Sequence, residues 1–130
     1  MTPLLEIIIH VTLLTFATIM LGAVLRNREW TAEGLHQALG NRDRLPEPTE
    51  LGGRAQRTAQ NALEGMALFV PIALVAHLSG AGDEALLGAQ VYFWARVVYI
   101  PTYVLGIAYV RSLVWGVGLL GLVLMLLAVL

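Results

Sequence analysis

An apolar run from Pro3 to Leu25 limits the fold of this chain more than any other feature. It is long enough to cross the hydrocarbon core of a bilayer, which takes about 20 helical residues. In that medium each backbone polar group needs an internal partner, and a helix supplies one within the segment. Further runs follow at about 54–78, 85–109 and 112–130. The sequence therefore predicts an all-α fold, an integral membrane four-helix bundle forming one domain over residues 1–130. Composition agrees, since 58% of residues are hydrophobic, 13% are charged and the mean hydropathy of +0.74 lies outside the range of ordinary soluble domains. The first run is not read as a signal peptide, because no positive segment precedes it, it is too long, and Arg26 and Arg28 follow it.

Between the first two runs, residues 27–53 are polar. Thr31 to Leu39 has the pattern of a short interfacial helix with Trp30 as its anchor. Asn41 to Gly53, with two prolines and two adjacent glycines, is expected to be a non-helical loop. The loop and its flanks carry Arg26, Arg28, Arg42, Arg44, Arg54 and Arg57, and the positive-inside rule puts them in the cytoplasm with both termini outside. The turn Ser79 to Glu84 is short, acidic and free of arginine, as suits the outer side, and makes its two helices antiparallel neighbours. Pro71 is expected to bend the second span and Pro101 the third.

Several function classes are excluded. Without cysteine the chain has no disulfide, thiolate metal site or cysteine nucleophile, so any thiol chemistry must come from a ligand. Its eight Lys+Arg residues are all arginine, which suits bidentate anion recognition and excludes a lysine nucleophile. With a net charge of -1 and no basic patch interleaved with aromatics, no nucleic-acid partner is indicated. His10, His36 and His77 read as structural or solvated residues, and no metal site is expected. No P-loop, dinucleotide fingerprint or haem-attachment motif is present.

Two polar stripes interrupt the apolar runs. Arg57, Asn61 and Glu64 stand four and three residues apart, so they share one helical face among the small residues Ala55, Ala59 and Ala62. Tyr92, Arg96, Tyr99 and Tyr103 form a second stripe on the third span. A buried arginine there costs roughly 2.5–3.5 kcal/mol on insertion scales and needs a partner, for which Glu64 is the natural candidate. Either stripe can be read as interhelical glue or, for the tyrosines, as an aromatic belt. The other reading is a site for an anionic ligand, with arginine for carboxylates and Asn and Glu for amide and ammonium groups. Gly116, Gly118 and Gly121 permit close helix contact in the fourth span.

Taken together, the R-x-x-x-N-x-x-E of Arg57, Asn61 and Glu64, the R-x-x-Y-x-x-x-Y of Arg96, Tyr99 and Tyr103, and the Arg111-Ser112 pair resemble the MAPEG family. These are the membrane-associated proteins of eicosanoid and glutathione metabolism, and the resemblance covers essentially the whole chain. It implies a left-handed four-helix bundle assembled as a homotrimer, with glutathione between adjacent subunits near the cytoplasmic side. It also implies glutathione-binding roles for Arg26, Arg57, Asn61, Glu64 and Arg96, and catalytic roles for Arg111, Tyr99 and Tyr103. Glutathione would be a substrate, with no metal required. The expected function is a transferase or peroxidase of the bacterial inner membrane, acting on apolar electrophiles or lipids through a stabilised glutathione thiolate. The alternative is a non-catalytic member that binds a lipid or a protein partner.

Overall fold

The computed structural model describes residues 1–130 as five helices with no strand. Helix α1 (Pro3–Asn27) opens with Pro3 in its first turn and with the Thr2 side chain accepting from the Leu5 N–H at 3.3 Å. The hydroxyls of Thr12, Thr15 and Thr18 donate to the carbonyls of Ile8, Val11 and Leu14 at 2.7–2.8 Å. An apolar helix can carry these residues because each satisfies its own donor along the helix. Arg28, in the left-handed region at φ 54°, closes α1, and Thr31 caps the short α2 (Ala32–Leu39), close to the helix expected there.

Helix α3 (Glu50–Leu78) corrects the reading of Asn41 to Gly53 as wholly non-helical. Thr49 caps it by accepting from Gly52 N at 3.0 Å, so the two glycines lie inside its first turn. Gly52 is there for packing: a Cβ on it would stand 2.8 Å from the Leu25 carbonyl oxygen of α1, whereas one on Gly53 would meet only Arg57 and Pro48 at 3.3 and 3.8 Å. A glycine that reads as a breaker thus admits another helix. Helix α3 runs on through Pro71 to Leu78.

A turn with Gly80 at φ 82° leads into α4 (Gly82–Val104), and α5 covers Ala108–Val129. Helix α4 stops at Val104 instead of continuing to Tyr109. Gly106 takes φ 79°, Ile107 N donates to the Thr102 carbonyl at 3.0 Å, and Arg54 Nε from α3 reaches the Val104 carbonyl at 2.9 Å. Arg54 thereby satisfies one of the carbonyls that a helix end leaves free.

Helices α1, α3 and α5 are long and apolar enough to cross a membrane. Helix α4 is not among them, its hydropathy lowered by Gln90, Arg96 and three tyrosines. In cross-section α3 and α4 form the central pair, with α1 and α5 on opposite sides and not touching each other. Close approach of α4 and α5 depends on Gly88 and Gly121, since a Cβ on either would lie 2.6–2.7 Å from the other's carbonyl oxygen. Gly118 also faces α4, whereas Gly116 faces open space. The core gathers at one end, where Leu4, Val11, Phe69, Ala73, Ala89, Tyr92 and Met125 are buried together and Phe69 stacks on Tyr92 at 4.6 Å. The opposite end, from Arg54 and Arg57 to Tyr103 and Arg111, holds the polar stripes.

Candidate functional site

Arg96 is the deepest charge in the molecule, 6% exposed, on the face of α4 that meets α3. Its Nη1 donates to Asn61 Oδ1 at 2.7 Å and its guanidinium lies over the Tyr99 ring, 4.3 Å from the centroid. The expected partner Glu64 is not the one used. Glu64 is exposed and accepts instead from Gln60 Nε2 at 3.1 Å, one turn away on its own helix. An amide oxygen serves the buried position without the desolvation cost of a carboxylate, which explains the choice of Asn61. Arg96 Nη2 remains buried without a hydrogen-bond partner.

Nearer the end of the helices, Arg57 donates through Nε to Tyr103 Oη at 3.0 Å. The other cation on this tyrosine is Arg111, in the first turns of α5, 4.7 Å from the ring centroid. Tyr103 meets Tyr99 edge-on at 5.6 Å. Three helices thus contribute to a ladder in which Arg57 and Arg111 are both held by one tyrosine. Each cation–π contact of this exposed kind is worth about 0.5–1 kcal/mol, enough to orient a guanidinium without burying it.

These residues enclose a cleft of about 340 Å³ lined by Arg57, Gln60, Asn61, Glu64, Tyr99, Tyr103, Arg111, Ser112 and Trp115. A smaller chamber of about 120 Å³ adjoins it through Asn61, Glu64 and Trp115, and Arg96 lines this second space. Two guanidinium groups face one carboxylate in the cleft, with phenol, amide and hydroxyl groups between them. Such a surface holds an anion bidentately and can lower the energy of a charge that develops on it. The cleft offers no cysteine, lysine or histidine, and Ser112 has no histidine base beside it.

Of the positions singled out in the sequence, Arg57, Asn61, Glu64, Tyr99, Tyr103 and Arg111 come together around this cleft, and Arg96 stands directly behind Asn61. Arg26 does not join them within one chain. It belongs to α1, on the other flank of α3, where its Nη2 donates to the Pro46 carbonyl at 3.0 Å. Three lining residues were not singled out: Gln60, Ser112 as a lining group in its own right, and Trp115. Helical spacing carries the signal for two of them, since Gln60 falls between Arg57 and Glu64 and Trp115 lies one turn after Arg111.

No curated protein and no solved structure matches the chain significantly. The family model named MAPEG family matches residues 6–130, which takes in all of α2 to α5 and nearly all of α1. With three apolar helices of spanning length and a match of that extent, the chain is an integral membrane protein that belongs to the MAPEG family.

Proposed function

We propose that this protein is a glutathione-dependent membrane transferase, with peroxidase as the related activity, acting on lipophilic electrophiles through a stabilised glutathione thiolate. The observation that carries this reading is the ladder of Arg57, Tyr103 and Arg111 along one wall of a cleft that holds no cysteine, lysine or histidine. Family membership supports it, because glutathione metabolism is part of what the family does. Arg57, Asn61 and Glu64 would hold the carboxylates, amides and ammonium of the tripeptide. Arg111, with Tyr99 and Tyr103, would face its sulfur. A free thiol has a pKa near about 8.5, and a guanidinium within hydrogen-bond reach in a site of low dielectric favours the anion. The thiolate then attacks an apolar molecule arriving from the bilayer, and no metal takes part.

The same reading gives four spans, with α4 as the third, in a single domain. It places residues 27–53 in the cytoplasm and both termini outside, in a bacterial inner membrane. It also calls for a homotrimer. Arg57, Gln60 and Glu64 are exposed along one flank of α3, and such groups are costly against lipid. A neighbouring subunit would cover them, and its α1 would bring Arg26 to the tripeptide. The test uses detergent-solubilised protein, with glutathione and a thiol lacking carboxylates compared for thermal stabilisation, followed by conjugation of a general electrophile. Stabilisation by glutathione alone, with turnover, is the expected result. Stabilisation without turnover of any electrophile would favour a non-catalytic member that binds a lipid or a protein partner. No stabilisation would remove the glutathione site.

A further inference from the structure

The small chamber beside the cleft has a different chemistry from the cleft itself. Its walls come from α3, α4 and α5, with Leu68, Trp115, Leu119 and Leu122 among them, and its volume is about 120 Å³. An apolar cavity of about 150 Å³ takes a benzene molecule, so this one accepts the reactive end of a compact molecule and excludes a charged tripeptide. Asn61, Glu64, Tyr92 and Arg96 are its polar residues, and one of them leaves a buried atom without a partner. Arg96 lines the chamber, only 6% exposed, and its Nη2 has no hydrogen-bond partner while Nη1 is committed to Asn61. A buried donor on a cation that nothing satisfies is costly unless something brings an acceptor to it.

Resting on the glutathione reading above, we infer that this chamber takes the electrophile, and that its class is a compact apolar molecule whose negative charge develops on an oxygen as the thiolate attacks. An α,β-unsaturated aldehyde represents the class. The sulfur in the cleft forms a C–S bond to the β-carbon, and the π pair of the C=C bond moves toward the carbonyl to give an enolate oxygen. Arg96 Nη2 donates to that oxygen. The enolate then takes a proton at its α-carbon from water, replacing the one the thiol released, so the net change is addition of the thiol across the double bond. Arg96 thus divides its two nitrogens: Nη1 holds Asn61 in position for the tripeptide, and Nη2 stabilises the charge on the second substrate. The contact with Tyr99, 4.3 Å from the guanidinium to the ring centroid, keeps the group from turning away. A longer apolar tail would leave between α3 and α5, past Leu68 and Leu119, which are partly exposed there.

The test is a comparison of 2-hexenal with benzyl chloride as electrophiles for purified wild-type protein and Arg96→Gln. In the chloride the charge leaves with the halide and needs no fixed donor in the chamber. The expected result is a loss in kcat/KM of roughly a hundredfold to a thousandfold for the aldehyde, the range for losing one such donor. The loss for the chloride should be at least about tenfold smaller; any rise in glutathione KM from the lost Asn61 contact is common to both electrophiles and cancels in the ratio of the two losses. Equal losses for both electrophiles would overturn the inference and leave the transferase reading standing. Wild-type protein that turns over neither electrophile would overturn both. Should Arg96→Gln not fold, Leu119→Trp decides the matter: narrowing the chamber from a partly exposed position should raise the KM for 2-hexenal at least about tenfold without moving thermal stabilisation by glutathione. An unchanged KM for the aldehyde would show that the chamber is not where it binds.

Discussion

The two flanks of α3 are built on opposite principles. Toward α1 the helix presents Gly52, Ala55, Ala59 and Ala62, and the contact is tight enough that a Cβ on Gly22 of α1 would lie 2.9 Å from Ala59 Cβ and 3.1 Å from the Ala55 carbonyl oxygen. Toward α4 and α5 the same helix presents Arg57, Asn61 and Glu64, and there the helices stand apart around a cleft of about 340 Å³. Small residues let two backbones meet without a void, where dispersion is the main attraction available in lipid. Long polar residues keep the backbones apart and leave donors directed at a space. The difference shows how one 29-residue helix can serve both as scaffold and as site wall.

The hardest break in this contrast comes from the closed flank. Gly22→Leu places a branched side chain where even a methyl group does not fit, and the opposing atoms include backbone, which cannot turn aside. Overpacking costs about 1–3 kcal/mol, and a backbone neighbour that cannot move puts this case at the upper end. The folded protein in detergent should lose most of its thermal stability, whereas Gly116→Leu, with nothing within 4 Å of its Cβ, should melt close to wild type. Similar melting temperatures for the two variants would mean that the α1–α3 contact is not held by close approach.

On the open flank the largest effect is expected on turnover. Arg111 is half-buried and touches the site through the face of Tyr103. Its removal should therefore change the melting temperature little. If it stabilises the thiolate, Arg111→Ala should lower kcat for conjugation roughly a hundredfold, within the range seen for a lost charge-stabilising donor. A loss of stability with unchanged turnover would reverse its assignment.

Asn61 is expected to behave as a mixture of the two flanks. It lines the cleft, but it is also the sole hydrogen-bond partner of a buried guanidinium, at 2.7 Å. Asn61→Ala strands both terminal nitrogens of Arg96 and should cost about 2–3 kcal/mol of stability, along with weaker glutathione binding. Asn61→Asp restores an acceptor and should recover most of the stability. Calorimetry on the pair checks this, and an Asn61→Ala variant as stable as wild type would deny Asn61 its structural half.

How much of this could be read from the sequence follows the same division. Periodicity placed Arg57, Asn61 and Glu64 on one face and Arg96, Tyr99 and Tyr103 on another, because a helix turns residues three and four apart to the same side. It did not pair the stripes correctly. Charge complementarity favours Glu64 for Arg96, but the rotation of α3 against α4 selects Asn61, and Glu64 turns to Gln60. Gly52 is legible only as a turn former, since its role depends on α1 passing beside it, a contact between distant parts of the chain. The end of α4 at Val104 depends on Gly106 and on Arg54 arriving from α3, again a long-range effect. Arg26 was grouped with the site by resemblance, and the fold of a single chain leaves it on the far flank, bonded to Pro46.

The smallest expected effect is also the one that separates two candidates for the chemistry. Tyr103 serves the site twice, with its hydroxyl accepting from Arg57 Nε at 3.0 Å and its ring lying beneath Arg111 at 4.7 Å. Tyr103→Phe removes the first contact and keeps the second. If Tyr103 only positions Arg57, the loss is that of one exposed hydrogen bond, about 0.5–1.5 kcal/mol, which corresponds to glutathione binding weaker by about twofold to tenfold. The kcat should then stay within about threefold of wild type, because Arg111 still rests on the ring. If instead the phenol donates to the glutathione sulfur, its removal should lower kcat roughly a hundredfold and leave binding nearly unchanged. Steady-state kinetics at saturating electrophile, with glutathione varied, distinguish the two patterns. We expect the first pattern, because Tyr103 is held between the two cations, with Arg57 at its hydroxyl and Arg111 at its ring. A large fall in kcat for Tyr103→Phe would move the thiolate from Arg111 to Tyr103 and turn the ladder into a single donor with two supporting cations.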